Sequence, residues 1–154
     1  MIVVDASLAT KWFVIEPDSA AALRFLQTHK GDLHGPDLLL VEVPSAIVRR
    51  ANEDKAFAPQ ARAALSDWRA AWENLHRHEL TAELVEGAAA LAMRLGHPLA
   101  DCVYLALAMA YDCDLATCDA KFQAKASRHY GRVRLLQQYE NQSRTVRPSF
   151  SAER

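Results

Sequence analysis

The chain opens with three consecutive apolar, β-branched residues, Ile2-Val3-Val4, closed at once by an acid, Asp5. A strand covered by helices on both faces reads as such an unbroken run, whereas a strand with one wet face alternates. The same device recurs at Asp114-Leu115-Ala116-Thr117-Cys118, closed by Asp119. Two buried strands ending in carboxylates leave little choice of architecture. They need helices on both sides, and hence an α/β sheet.

The intervening segments supply those helices. Ser7 is placed to cap a short helix carrying Leu8, Lys11, Trp12 and Phe13. Pro17-Asp18-Ser19 opens a second helix, Ala20 to Thr28, broken by Gly31. An extended piece at Leu33-His34 precedes Pro36, and the apolar run Leu38 to Val48 reads as helix. Ala58 to Trp72 is helical, with Ala61, Leu65, Trp68 and Trp72 at helical spacing. A strand is expected over Leu75 to Leu80, and a helix from Thr81 through Leu95. Gly96-His97-Pro98 stops that helix and starts the next, whose apolar stripe runs through Leu99, Cys102, Val103, Ala106, Leu107 and Ala110. Asp119 begins a further helix, and Arg132 to Leu136 is a final strand.

With 154 residues, 51% of them hydrophobic, the chain suffices for one globular domain without metal or disulfide support. No apolar run reaches the length of a membrane span, and the acid at position five argues against a secretory signal. Three cysteines, Cys102, Cys113 and Cys118, lack the paired spacing of a disulfide framework or zinc site and read as buried small apolar groups. A reducing cytoplasm is the expected setting. The net charge of −1 excludes a uniform basic field. The charge is nevertheless uneven: residues 121–154 hold eight basic and two acidic side chains, residues 1–120 ten and seventeen. Lys121, Lys125, Arg128, Arg132, Arg134, Arg144 and Arg147 belong to this basic group. Such asymmetry draws a polyanion to one edge, although residues 137–154 also read as a basic, flexible tail after a domain spanning 1–136.

Four acids stand in unusual places. Asp5 and Asp119 lie beyond the carboxyl ends of strands, where open α/β sheets bind ligands; each is also a plain candidate for a helix N-cap. Glu42 is the one polar residue in Leu38-Leu39-Leu40-Val41-Glu42-Val43, and Arg49 and Arg50 lie about two turns away, too far to pair with it along a helix. Pro44 either kinks this helix or restarts it with Glu42 near the new N-terminus. Asp101 falls in the first turn after Pro98, beside the buried stripe. Four carboxylates at one sheet edge repel unless a cation joins them. A set of hard oxygens selects Mg²⁺ or Mn²⁺, ions that activate water in phosphodiester hydrolysis. Ser7 and Thr117, each two residues from an acid, are placed to orient carboxylates or water.

Val3-Val4-Asp5-Ala6-Ser7, followed by Lys11-Trp12-Phe13 and Glu16, resembles the opening of PIN-domain nucleases. Pro36 with Glu42-Val43 is similar to that family's second motif. His97-Pro98-Leu99-Ala100-Asp101-Cys102-Val103-Tyr104 resembles its third, and Leu115-Ala116-Thr117-Cys118-Asp119-Ala120-Lys121-Phe122 its fourth. The resemblance covers residues 1–136, with Pro44 and the Arg-bearing tail as departures. In size the chain is most similar to VapC-type toxins of toxin–antitoxin pairs. The resemblance implies a three-layer α-β-α sandwich with a mainly parallel, about five-stranded sheet. It also implies a Mg²⁺-dependent endoribonuclease (Mn²⁺ substituting), usually a homodimer, neutralised by a small antitoxin. Asp5, Glu42, Asp101 and Asp119 would be its catalytic and metal-binding residues.

Other classes fit less well. A haloacid-dehalogenase-type phosphatase needs a second acid where Ser7 stands, and a receiver domain needs an acidic pair where Val4 stands. A catalytically idle interaction module on the same fold, or a PIN nuclease of RNA processing outside a toxin–antitoxin pair, remains an alternative. RNA binding is expected from Lys121, Lys125 and Arg128, with Lys11, Arg49 and Arg50 next. His97 reads as a turn residue. Trp12, Phe13, Trp68 and Trp72 read as core or as a dimer contact, the latter because they are more apolar surface than a monomer of this length easily hides.

Overall fold

In the computed structural model, residues 1–145 form five strands and eight α-helices. Their order is β1 (Ile2–Val4), α1 (Ala6–Ala9), a 3₁₀ turn (Thr10–Trp12), α2 (Ser19–Thr28), β2 (Leu33–Pro36), α3 (Leu39–Glu53) and α4 (Ala58–Trp72). There follow β3 (His76–His78), α5 (Ala82–Leu95), α6 (Leu99–Ala110), β4 (Asp114–Thr117), α7 (Ala120–Ala126), β5 (Val133–Leu135) and α8 (Leu136–Thr145). All strand pairs are parallel, in the order β3-β2-β1-β4-β5. The order reverses between β1 and β4, which pair through Ile2–Asp114, Val3–Leu115 and Val4–Ala116. Asp5 and Asp119 follow these two strands, so both acids stand at the topological switch point.

The core lies where the sequence places it. Val3, Val4, Leu115 and Ala116 are wholly buried, and α6 packs across β1, β2 and β4 with Cys102, Tyr104, Leu105 and Ala108 fully enclosed. Trp12, Trp68 and Trp72 are each under 10% exposed, and Phe13 stacks edge-on against Trp68 at 5.7 Å. The three tryptophans are interior and supply no surface for a dimer, whereas Phe13 is only partly buried. The large apolar side chains that do face solvent are others, with Ile15 at 91% and Met93 at 80%. Cys102 and Cys113 are buried thiols and Cys118 is half-buried. Among the described residues no helix is long and apolar enough to cross a membrane.

Four local expectations change. The cap of α1 is Asp5, whose carboxylate accepts from the Leu8 amide at 3.0 Å. Ser7, expected there, lies inside the helix and donates its hydroxyl to Asp5 instead. The run Leu38–Val48 is amphipathic: Leu39, Val43 and Ile47 are buried at spacings of four, while Leu40, Val41 and Val48 are exposed. Pro44 sits inside α3 without ending it, and Glu42 occupies the first turn of that helix. The expected strand 75–80 contracts to His76–His78, paired to β2 at the edge of the sheet formed by the described residues.

Finally, the domain continues beyond residue 136. α8 buries Leu136 and Tyr139, and Tyr139 stands edge-on to Phe25 at 4.9 Å. An Arg24–Glu140 ion pair ties α8 to α2. Charge counting over 137–154 overlooked Tyr139, three residues past Leu136 and buried with it. Residues 146–154, Arg147 among them, and the side chain of Arg144 lie outside the described residues.

Candidate metal and active site

The two strand ends are joined by hydroxyls. Ser7 Oγ donates to Asp5 Oδ1 at 2.7 Å, lies 3.2 Å from Thr117 Oγ1, and accepts from the Cys118 amide at 2.9 Å. Thr117 Oγ1 accepts from the Asp119 amide at 2.9 Å. Asp119 caps α7 through Oδ1, which accepts from the Phe122 amide at 2.9 Å. Both acids are therefore N-caps as well as strand-end carboxylates. Capping engages one oxygen of each, and a carboxylate has acceptor capacity on two.

Asp5 is 3% exposed. Burial pushes its carboxyl up to about 6, opposed by the hydroxyls of Thr117 and Ser7 and the Leu8 amide, while the charge of Asp101 adds to the rise. Glu42 is also raised, chiefly by burial and further by Asp101, although Tyr104 donates its hydroxyl to Glu42 Oε2. Tyr104 itself is held far above its ordinary range by burial, then by its bond to Glu42 and the charges of Glu42, Asp5 and Asp101. Asp101, on α6, is thus the acid that Asp5 and Glu42 both feel.

Asp119 lies close to Asp101, with His97 beside both. The ligand atoms of His97, Asp101 and Asp119 lie within 4.8 Å of one another, and His97 Nε2 is 2.8 Å from Asp101 Oδ2. The His97 ring stacks on Phe122, centroids 4.8 Å apart and planes inclined by 20°. His97 and Tyr104 are the two side chains of this cluster that sequence reasoning assigned no role. The i, i+4 spacing of His97 and Asp101 was the one available signal for the first; the contact of Tyr104 with Glu42 joins residues on different helices.

A cleft of about 810 Å³ is lined by Ser7, Glu42 and Asp119 together with Lys11, Arg49, Arg50, Lys121, Glu16 and Glu53; Lys11 is paired with Glu16 and Arg50 with Asp54. Of the three cations first expected to face a polyanion, only Lys121 lines it. Lys125 donates to the Gly96 carbonyl at 2.7 Å, and Arg128 is exposed past the end of α7. Arg132 and Arg134 are engaged as well, each donating at 2.9 Å to a different oxygen of Asp114. Two of the eight C-terminal basic residues therefore brace β4 against β5.

The donor set suits a divalent cation. Burying an anion without compensation costs several kcal/mol, and here one buried and one half-buried carboxylate share a locality with two more. First-row ions bind oxygen and nitrogen at about 2.0–2.2 Å, which places neighbouring ligands about 3 Å apart. His97 Nε2 and Asp101 Oδ2, 2.8 Å apart, are hydrogen-bonded to each other, a contact that an ion bound between them would replace.

A parallel α/β domain with carboxylates gathered at its switch point is the class that fold and site define. The profile of the PIN domain matches residues 2–127, and the chain belongs to that family. Among solved structures it resembles VapC20 of Mycobacterium tuberculosis, described as a sarcin-ricin loop cleaving toxin. The TM-score is 0.65 and the identity 19%, over 80% of this chain and 94% of that one. PAE2754 of Pyrobaculum aerophilum matches with a TM-score of 0.65 and 18% identity, over 94% of this chain and 96% of that one. VapBC2 of Rickettsia felis, solved with a DNA fragment from its promoter, gives 0.59 and 15% over 88% and 97%. At these identities the likeness is one of fold. No curated protein sequence matches the chain.

Proposed function

We propose that the chain is a divalent-metal-dependent endoribonuclease acting in the cytoplasm as the toxin of a toxin–antitoxin pair. What supports this reading most is the place of Asp101, whose charge acts on both Asp5 and Glu42 and whose carboxylate lies within 4.8 Å of Asp119, with Glu42 and Asp119 lining a cleft that also holds Arg49 and Lys121. A purely structural domain gains nothing from placing Asp101 where its charge opposes both Asp5 and Glu42; a site that holds a cation does.

The four acids would hold Mg²⁺, or Mn²⁺ in its place. When bound, such an ion acidifies water and stabilises charge on the phosphate as the phosphodiester is hydrolysed. Ser7 and Thr117 fix the rotamer of Asp5 and the backbone entering Asp119. Tyr104 holds Glu42 at the mouth of the cleft. The rim cations hold flanking phosphates, because the acids themselves offer a polyanion no attraction. A small antitoxin protein covering the cleft, and a second copy of the chain, complete the proposed assembly. Solved toxin–antitoxin complexes with this fold, such as those from Rickettsia felis and Klebsiella pneumoniae, support the partner.

The test is single-turnover cleavage of labelled RNA by the purified chain. Cleavage with Mg²⁺ or Mn²⁺, abolished by chelator, is the expected result. No cleavage with either ion would favour an interaction module on the PIN fold.

A further inference from the structure

We propose that His97 is a direct nitrogen ligand of the divalent ion, joining the carboxylates at the switch point. The inference rests on the metal-dependent reading above and assigns a residue to it. Three independent restraints aim this ring. Its backbone lies in the link between α5 and α6, bracketed by Gly96 at φ 57° and by Pro98. Lys125 fastens that link to α7 by donating to the Gly96 carbonyl. The ring then lies flat on Phe122 of α7 and its side chain is only 10% exposed.

Phe122 does a second thing: its amide donates to Asp119 Oδ1. One residue thereby sets both the plane of the imidazole and the rotamer of an acid in the same cluster. The outcome is an imidazole nitrogen with two carboxylates whose ligand atoms all lie within 4.8 Å, Nε2 being hydrogen-bonded to Asp101 Oδ2. Adjacent and opposite positions around one ion with bonds near about 2.1 Å are about 3.0 and 4.2 Å apart, so the three groups need to draw in by no more than a few tenths of an ångström to close on one ion.

A nitrogen donor has a chemical consequence. Imidazole suits transition ions, whereas Mg²⁺ prefers oxygen and water. With His97 in the donor set, the site favours Mn²⁺ or Co²⁺ over Mg²⁺ more strongly than carboxylates alone would. His97→Gln should therefore lower Mn²⁺ affinity by about 10-fold or more, and Mg²⁺ affinity by less than about 3-fold.

The decisive probe is Mn²⁺ alone, bound to the full chain and read by electron spin-echo envelope modulation. The expected result is modulation from directly bonded nitrogen in the wild-type protein, lost in His97→Gln while calorimetry shows Mn²⁺ still bound. The wild-type spectrum does not depend on whether the variant folds. Bound Mn²⁺ without nitrogen modulation, or modulation that persists in His97→Gln, would overturn the assignment and leave the carboxylate site standing. Absence of Mn²⁺ binding by the wild-type chain would overturn the metal site and His97's place in it together.

Discussion

Replacing Asp5 by Asn should make the metal-free protein more stable, although it removes a central site residue. In the folded chain the Asp5 carboxyl is raised from 3.8 to about 6, first of all by burial. The folded state therefore holds this proton more tightly than the unfolded state, and stability declines as pH rises from 3.8 through 6 and stays reduced above. At about 1.36 kcal/mol for each pH unit of that gap, the ionised group costs ~3 kcal/mol at pH 7.5. Asparagine is as good an N-cap as aspartate and keeps an acceptor for the Leu8 amide and the Ser7 hydroxyl. Allowing for an imperfectly placed amide, the gain at pH 7.5 in chelator should be about 2 kcal/mol, or roughly 4–8 °C in Tm for a domain of this length. At pH 4.5 the gain should shrink to about 1 kcal/mol or less. Saturating Mn²⁺ should stabilise the wild type by about 2.7 kcal/mol at a hundred times Kd and the variant far less, closing or inverting the gap. Thermal melts at two pH values, with and without Mn²⁺, provide the assay. An Asn variant no more stable than wild type at pH 7.5 in chelator, or a gain independent of pH, would refute the reasoning.

Glu42→Gln, Asp101→Asn and Asp119→Asn should each slow single-turnover RNA cleavage by about 100-fold or more while far-UV circular dichroism stays native; any two cleaving at the wild-type rate would dissolve the shared site. Replacing Arg49, Arg50 and Lys121 together by Ala should flatten the dependence of RNA affinity on salt by roughly one log–log unit for each phosphate no longer neutralised, whereas Arg128→Ala should leave the slope unchanged. His34, pushed down to about 4 by burial and by His76 and His78, takes up a proton on unfolding below its ordinary 6.5, so stability should fall as pH drops from 6.5 toward 4. In chemical denaturation His34→Gln should abolish about 1 kcal/mol of that acid-induced decline. Light scattering at micromolar concentration should give twice the chain mass, and a monomer mass would remove the homodimer from the proposal.

The strand ends were legible because burial leaves a crude mark: an unbroken apolar run followed by an acid, at Val4-Asp5 and again before Asp119. The placement of Asp101 in the first turn of α6 was equally visible, since Pro98 marks a helix start. What escaped was the set of interactions between elements distant in the chain. Nothing in Gly96-His97-Pro98 tells that Phe122 will stack on the ring, and nothing in an apolar stripe singles out Tyr104 as the partner of Glu42. The charge count failed for the same reason. Arg132 and Arg134 read as free cations until Asp114 is seen between them, and Lys125 until it is seen on the Gly96 carbonyl. Pro44 proved harmless because Glu42 already lies in the first turn of α3, so no restart of the helix is needed to place it there.

The central claim is that Asp5, Glu42, Asp101 and Asp119 serve one divalent ion at the reversal point of the sheet. Anomalous diffraction from crystals of the chain soaked in Mn²⁺ measures this directly. The account predicts a strong peak within bonding distance of Asp5, Asp101 or Asp119, missing from crystals of the Asp101→Asn variant. Saturating Mn²⁺ with no peak at the ends of β1 and β4, or a peak unchanged in that variant, would contradict it.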